Sequence, residues 1–457
     1  MRKNKRFLAM LLVMTLALAA CAPAAQAPAP APAAPAPAAA APAPAPAAAA
    51  DDDADDDGDL IQMSIHLLGI TDDQIAAHVA AGDLDDPSPT YYRLMREGIE
   101  AIPGIQVTFE DWGWAETLDT RQRTMIAAGD IPHIVGGEIF MPAYANEGIL
   151  YPLPPDIVDM VVDSFLIRDL NGIPVAVAGA ASVFVLIYNR DLLEAAGFDR
   201  APTTWDEWQD MSDRITAVGN GDFWGGGVPS FPHAGGALRA TPFFRQLGTD
   251  FFHNGQLQLD NPDLHRALQF IRDMDRNLPP GLGNLTDEGP MWNAFEVDQV
   301  LAFAVNGLWG VAAAERNGMN WGVAPLPMPA GGVEGNCLVG ATFYGVPRNA
   351  PHPDISFEMI RIMLSEEVQI HNFGRGRATP LRSLQARRYL FEDDVAMAVA
   401  MDAVASGDFS TLASFPRNDA QIWELINTQV LARTTMTDTP IEEITSDAQR
   451  QIDLLLQ

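Results

Sequence analysis

An α/β chain of more than one domain is expected from three observations. Short alternating apolar segments at residues 61–67, 105–109 and 134–135 are separated by helix-length stretches at 91–102 and 117–128. A continuous apolar run at 183–188, Val-Phe-Val-Leu-Ile-Tyr, has the composition of a strand buried on both faces. The chain has 457 residues, 48% of them apolar, enough for two or three domains. Strands alternating with helices imply a sheet covered by helices, and ligands of such sheets bind beyond the carboxyl ends of the strands.

The first sixty residues stand apart. Arg2, Lys3, Lys5 and Arg6 precede an apolar run at 7–20, the charged and apolar parts of a secretory signal. That run is short for a membrane span. It closes on Leu18-Ala19-Ala20-Cys21, which resembles the bacterial lipobox, where cleavage before the Cys leaves it as the lipid-bearing N-terminus. Residues 22–50 hold only Ala, Pro and one Gln; the prolines break any helix and nothing there can pack. Extended, this stretch reaches up to roughly 90 Å. The following Asp-rich run, 51–59, reads as a solvated spacer and lacks the spacing of a calcium loop. Residues 1–20 are thus expected to be a signal peptide and 21–59 a lipidated Cys with its linker.

From residue 60 the elements follow in order. Residues 61–67 and 105–109 alternate as strands, and Pro103-Gly104 ends the helix between them. The helix at 117–128 stops at Gly129-Asp130 before a short strand at 134–135. After the buried strand at 183–188 a helix begins near Asn189, and Thr204-Trp205-Asp206-Glu207 is a capping box. Further helices are expected over 264–274 and 354–364. Thr439-Pro440-Ile441-Glu442 is a second box with Pro at the first helical position. Beyond it Ile441, Ile444, Ala448, Ile452 and Leu455 form one apolar stripe.

Charge and composition exclude several functions. With 28 basic and 60 acidic residues the net charge is −32, a poor match to nucleic acid or an anionic membrane surface. The only lysines are Lys3 and Lys5, so the folded chain has no phosphate-loop lysine, Schiff-base lysine or Ser–Lys dyad. The second Cys, Cys337, has no disulfide partner once Cys21 is lipidated, and reads as core filling. No Cys/His pair has zinc spacing, so neither metal nor cofactor is expected.

Aromatic residues gather at the expected strand-to-loop junctions. Asp111-Trp112-Gly113-Trp114 follows the second strand, Gly136-Gly137-Glu138 the third, Trp224 opens a Gly-rich loop, and Asn306-Gly307-Leu308-Trp309 follows an apolar run. Sugar recognition suits this set: pyranose faces stack on aromatic rings while hydroxyls need planar polar partners. Any one of these tryptophans could equally be a core filler.

Several segments in order resemble the carbohydrate-binding subunits of bacterial ABC importers, the extracellular solute-binding family that includes maltodextrin-binding proteins. Residues 127–134, Ala-Ala-Gly-Asp-Ile-Pro-His-Ile, look like the family's GDxPDI segment, with His133 where Asp is usual. Residues 145–153 look like its GLLxPL turn, 186–198 like YNKDLLxxAG, and 202–207 like PKTWDE. Residues 305–309, 322–327 and 378–380 continue the pattern, so the resemblance spans roughly 60–457.

The resemblance implies a two-lobed periplasmic-binding-protein-like fold of type II, with a hinge and an interlobe cleft. The N-terminal lobe would comprise 60–178 and 306–372, the C-terminal lobe 179–305 and 373–457, with crossings near 176–182, 304–306 and 372–378. It further implies a monomer that closes on a mono- or oligosaccharide and presents it to the transmembrane subunits of an ABC permease, a separate ATPase supplying the energy. Trp309 falls where the family uses a sugar-stacking aromatic, and Trp423 near a second. Glu138 falls where an acid meets sugar hydroxyls. Ser182 lies at the hinge position where maltodextrin binders carry an acid, a departure that counts against maltose itself. Asp111, Trp112 and Trp114 would face the cleft, with Phe343, Tyr344 and Arg375 near the second and third crossings. Two other readings stay open: an anchored polysaccharide-cleaving enzyme, which needs a pair of carboxylates about one bond, and a receptor of the same fold for another solute.

Overall fold

A computed structural model describes residues 60–66, 72–81, 87–253, 256–333, 337–387, 394, 396–399, 401, 409–410 and 418–456. The expected signal segment, Cys21 and the linker lie outside the described residues. The described residues all belong to one compact unit, which is described below.

The strands are β1 (Ile61–His66), β2 (Ile105–Glu110), β3 (Val135–Gly137), β4 (Leu166–Arg168), β5 (Pro174–Asn189), β6 (Phe252–His253), β7 (Gln256–Leu257), β8 (Phe303–Gly307), β9 (Trp321–Ala324), β10 (Cys337–Gly345) and β11 (Phe409–Ser410). β1 and β2 pair in parallel, Ile61 opposite Ile105 through His66 opposite Glu110. Their alternation sets their faces: Ile105, Val107 and Phe109 are buried while Gln106 and Thr108 are exposed. The helix Pro87–Glu100 lays Tyr91, Tyr92, Met95 and Ile99 into the same core. It starts four residues earlier than its apolar pattern suggests, because Pro87 fits a first helical turn.

β5 ties the molecule together. Its first half pairs with β4 and β10, whereas its second half, from Phe184, pairs with β8 and β9. Val183, Val185 and Ile187 join one hydrophobic core, and Phe184, Leu186 and Tyr188 the other. This is the doubly buried strand that the apolar run announced. The expected crossing near 304–306 is corrected by these pairings. After β8 the chain returns as β9 to the same half of β5, and only β10 pairs with the first half. Sequence patterning could not show this, since two antiparallel neighbours of one strand look alike in hydropathy.

The second core is built on aromatic side chains. Trp208, fully buried, packs among Phe243, Phe270 and Phe303, each such burial contributing about 1.5–3 kcal/mol. Its helix, Trp205–Gly219, is capped by the Thr204 hydroxyl, which accepts from Glu207 N at 3.2 Å. Glu207 reaches back one residue further than a standard box, accepting from Thr203 N at 2.7 Å. The helix Ile441–Leu456 buries Ile441, Ile444, Ala448 and Ile452, and Leu455 packs at the edge of the same core. Pro440 precedes this helix instead of opening it, and its carbonyl accepts from Glu443 N and Ile444 N.

Candidate functional site

The ends of β3 and β8 and the turn at 376–377 converge. β8 runs into the helix Trp309–Arg316, whose first side chain folds back over Gly307. A Cβ at Gly307 would fall 2.0 Å from the Trp309 ring, so only glycine allows this close approach. Phe184 meets the indole edge-on, centroids 5.8 Å apart. Arg377 covers it, with Cζ 4.3 Å from the ring centre. Gly376 makes the seating possible: its φ is +69°, and a Cβ there would lie 2.5 Å from the Leu308 carbonyl.

Glu138 follows β3 and is half-buried. Burial pushes its carboxyl above the ordinary range; the Arg377 and Arg239 guanidinium groups and a hydrogen bond from Trp114 pull the other way. Trp114 itself packs onto the second core, although its backbone caps the helix Ala115–Ala128.

Arg239 lies in the helix Ala234–Arg245 with only 4% of its side chain exposed. Its guanidinium pairs with Glu288 at 2.9 Å and donates to the Gly235 carbonyl at 2.8 Å and to Asn306 Oδ1 at 3.3 Å. Trp292, Phe231 and Phe184 surround it, the nearest centroid being that of Trp292 at 4.5 Å. Trp292 Nε1 also donates to Glu288 at 2.9 Å. The glycines that open this helix have a purpose: a Cβ on Gly235 would collide with the Glu288 carboxylate. Two guanidinium groups and two carboxyl groups therefore sit together among aromatic faces.

Beside this cluster lies a cavity of about 370 Å³ between the helices Ala115–Ala128, Met141–Asn146 and Asp419–Leu425. Ile139, next to Glu138, and Trp423 line it, with Glu116, Asp119 and Arg123. Trp423 is 6% exposed and meets Phe251 edge-on. Among the described residues no group of three or more His, Cys, Asp or Glu could hold a metal ion, and no helix is long and apolar enough to cross a membrane.

Of the residues expected from sequence, the structure gathers Trp114, Glu138 and Trp309 in one cluster and puts Trp423 on the adjoining cavity. Trp112 is a correction. It does not face the cleft but is 3% exposed, stacked on His66 at 5.8 Å and covered by Arg121. Its indole N–H is taken by Glu110 at 2.6 Å, so the ring is a core filler with a satisfied polar tip. Phe343 and Tyr344 are likewise packed in the first core; Tyr344 lies against Gly136 and Gly179. Asp111 is exposed, and its carboxylate accepts from Gly113 N at 2.9 Å. Trp224 is half-buried and held by backbone bonds to Val300 and Ala302. Ser182 lies in β5 opposite Gly340. The side chains of Ser182, Arg375 and Cys337 lie outside what is described.

Sequence reading missed Arg239, Glu288, His233, Trp292 and Arg377. Arg239 had a signal: a lone cation in the apolar stretch Ala-Leu-Arg-Ala, on a helix buried all round, must find a counter-charge. Arg377 lies two residues from the candidate Arg375, a distinction that depends on the turn at Gly376.

The family model for bacterial extracellular solute-binding proteins matches residues 81–370. The chain belongs to this family. A binding protein of Brucella abortus is 25% identical over 293 residues, covering 61% of this chain and 69% of its own length. Among solved structures, maltose-bound MalE3 of T. maritima superposes with a TM-score of 0.71 at 18% identity, over 86% of this chain and 99% of that one. UgpB of Mycobacterium tuberculosis, in complex with glycerophosphocholine, superposes with 0.68 at 18% identity, over 87% and 98%. The solute-binding protein thus has the two-lobed α/β fold of type II periplasmic binding proteins.

Proposed function

We propose that this protein is the lipid-anchored receptor of an ABC importer, which closes on a mono- or oligosaccharide and delivers it unaltered to the permease. The observation that carries the sugar reading is the cluster of Trp309, Trp114, Glu138 and Arg377. It offers flat apolar faces beside planar polar groups, and a hydroxyl-rich solute needs both. Family membership and the maltose in a structural neighbour support it. Trp423, at the edge of the adjoining cavity, is the second candidate contact in this reading.

The lobes are proposed to hinge where β5 passes between its two sheets. Gln369 Nε2 and Asn372 Nδ2 both donate to the Gly179 carbonyl, at 2.8 and 3.2 Å, tying the later crossing to β5. Closure around such a hinge would desolvate the solute and present one surface to the permease. Lipid attachment at Cys21, with the Ala/Pro linker as tether, keeps the receptor at the membrane.

A second reading is a receptor of this fold for a non-sugar solute, favoured by the glycerophosphocholine bound to UgpB at nearly equal structural similarity. A thermal-shift screen of the chain from Cys21 onward separates the two. Neutral saccharides and glycerophosphocholine are offered in parallel, and a true ligand raises the melting temperature by binding only the folded state. A shift with a saccharide alone supports the first reading, and a shift with glycerophosphocholine alone the second. Chromatography of the recovered sugar checks that it leaves unaltered, against the carbohydrate-active-enzyme alternative.

A further inference from the structure

We propose that His233 and Arg239 contact the solute directly, the Nε2–H of one and the Nε–H of the other donating to an uncharged oxygen. This inference rests on the saccharide reading above and names two of the residues that would recognise it.

The protonation of His233 follows from its position. It is the N-cap of the helix Ala234–Arg245, and its Nδ1 accepts from Gly235 N at 3.1 Å. A ring nitrogen that accepts carries no proton, so in the neutral imidazole the proton is on Nε2. The ring lies flat on Phe231, centroids 5.3 Å apart and planes 4° from parallel. Burial favours the neutral form, against the pull of Glu288 and Glu116. The Nε2 atom is buried and meets no acceptor within the protein.

Arg239 repeats the pattern. Its terminal nitrogens are committed to Gly235, Glu288 and Asn306, while Nε is buried without a partner. Both side chains pack on Phe231 and both face Glu288, so the two unused donors belong to one cluster. A buried donor without an acceptor forfeits its hydration; of the several such groups among the described residues, these two lie in the cluster that includes Phe184, which packs on Trp309. Two in one cluster, beside the aromatic faces of the proposed site, mark where a solute oxygen completes the network. The charge balance selects the kind of oxygen. Glu288 already neutralises Arg239, and His233 is neutral, so the pair supplies direction without net charge. Hydroxyl and ring oxygens fit; a carboxylate or phosphate would need an uncompensated cation.

Calorimetric titration of the full chain tests this, using glucose, maltose, maltotriose, cellobiose and xylobiose as neutral probes and glucuronate as the charged one. His233→Asn keeps the helix-capping acceptor and gives up the ring; His233→Phe keeps the ring on Phe231 and gives up the cap. Both lack the Nε2–H. Each is expected to bind the best neutral probe about tenfold more weakly, with the Asn variant melting as wild type does in the absence of sugar. The imidazole ¹⁵Nε2 resonance missing from both variants is expected to shift when wild type is saturated with that sugar. Undiminished binding by either variant, an unmoved resonance, or tighter binding of glucuronate than of glucose would overturn the proposal while leaving the sugar reading intact. Failure of wild type to bind any neutral probe would bring down the sugar reading and this inference together.

Discussion

Arg377 lies over Trp309, its guanidinium carbon 4.3 Å from the indole centre, and the contact joins the turn at Gly376 to the start of the helix that follows β8. The Gly376 turn presses against the Leu308 carbonyl to make it. One face of the platform is therefore fixed by protein, and the ring cannot swing away when solute arrives. Preorganisation of this kind reduces the ordering cost of binding.

Trp309→Ala removes that platform. Loss of a central aromatic anchor costs about 2–4 kcal/mol of binding, enough to abolish a saccharide-induced thermal shift. The apo protein is expected to stay folded, since the ring is only half-buried. A circular-dichroism melt beside the thermal-shift assay checks both parts; a preserved shift removes Trp309 from the site.

Gly376→Ala acts at a distance on the same contact. At φ +69° an L side chain is strained by about 1–2 kcal/mol, before the clash with Leu308 is counted. Both stability and saccharide affinity are expected to fall, as read by urea unfolding and calorimetry. Loss of stability with full affinity would show that Arg377 does not position the indole.

Much of this architecture was legible in the chain. The alternation in β1 and β2, the apolar run inside β5, the helix start near Asn189, the Thr204 cap and the stripe from Ile441 to Ile452 all lie where periodicity and capping chemistry put them, because these are local signals. The left-handed turn at Gly376 was visible only as composition. The proposed site was legible only in part. Trp114, Glu138 and Trp309 stand at strand ends, where loop chemistry shows in sequence. Arg239 and Glu288 are a pair made across 49 residues by tertiary packing, and no local pattern announces such a pair. Trp112 misled because an indole in a loop and an indole in a core have the same neighbours in sequence.

Glu288→Gln leaves the Arg239 charge buried without its counter-ion. Breaking such a pair costs about 3–5 kcal/mol, and a lower urea midpoint is expected. Replacing both partners, Arg239→Met with Glu288→Leu, is expected to recover most of the stability but not saccharide binding. If the single variant is as stable as wild type, Arg239 is hydrated rather than buried.

Glu296, in the irregular helical turn Asn293–Val297, has its carboxyl pushed up to about 7 by burial, with Arg316 opposing. Its folded pKa is raised above the ordinary 4.5, so folding takes up a proton between these values. Stability from this group is full below the ordinary carboxylate range and is lost as pH rises toward 7. Glu296→Gln is expected to raise the melting temperature at pH 8 and to flatten its dependence on pH over that window. An unchanged pH profile would show the carboxyl to be solvated.

The net charge of −32 predicts a salt effect of its own. Self-repulsion among carboxylates is screened as ionic strength rises. The melting temperature of the apo protein is expected to climb between low salt and 0.5 M NaCl. A fall would mean that the surface Arg–carboxylate pairs outweigh the repulsion.

Small-angle scattering with and without saturating saccharide tests most directly whether two hinged lobes trap a sugar. The radius of gyration is expected to fall when the sugar found by thermal shift is added, and to stay put in Trp309→Ala. A scattering curve that does not change with any saccharide, together with no heat of binding, would contradict it.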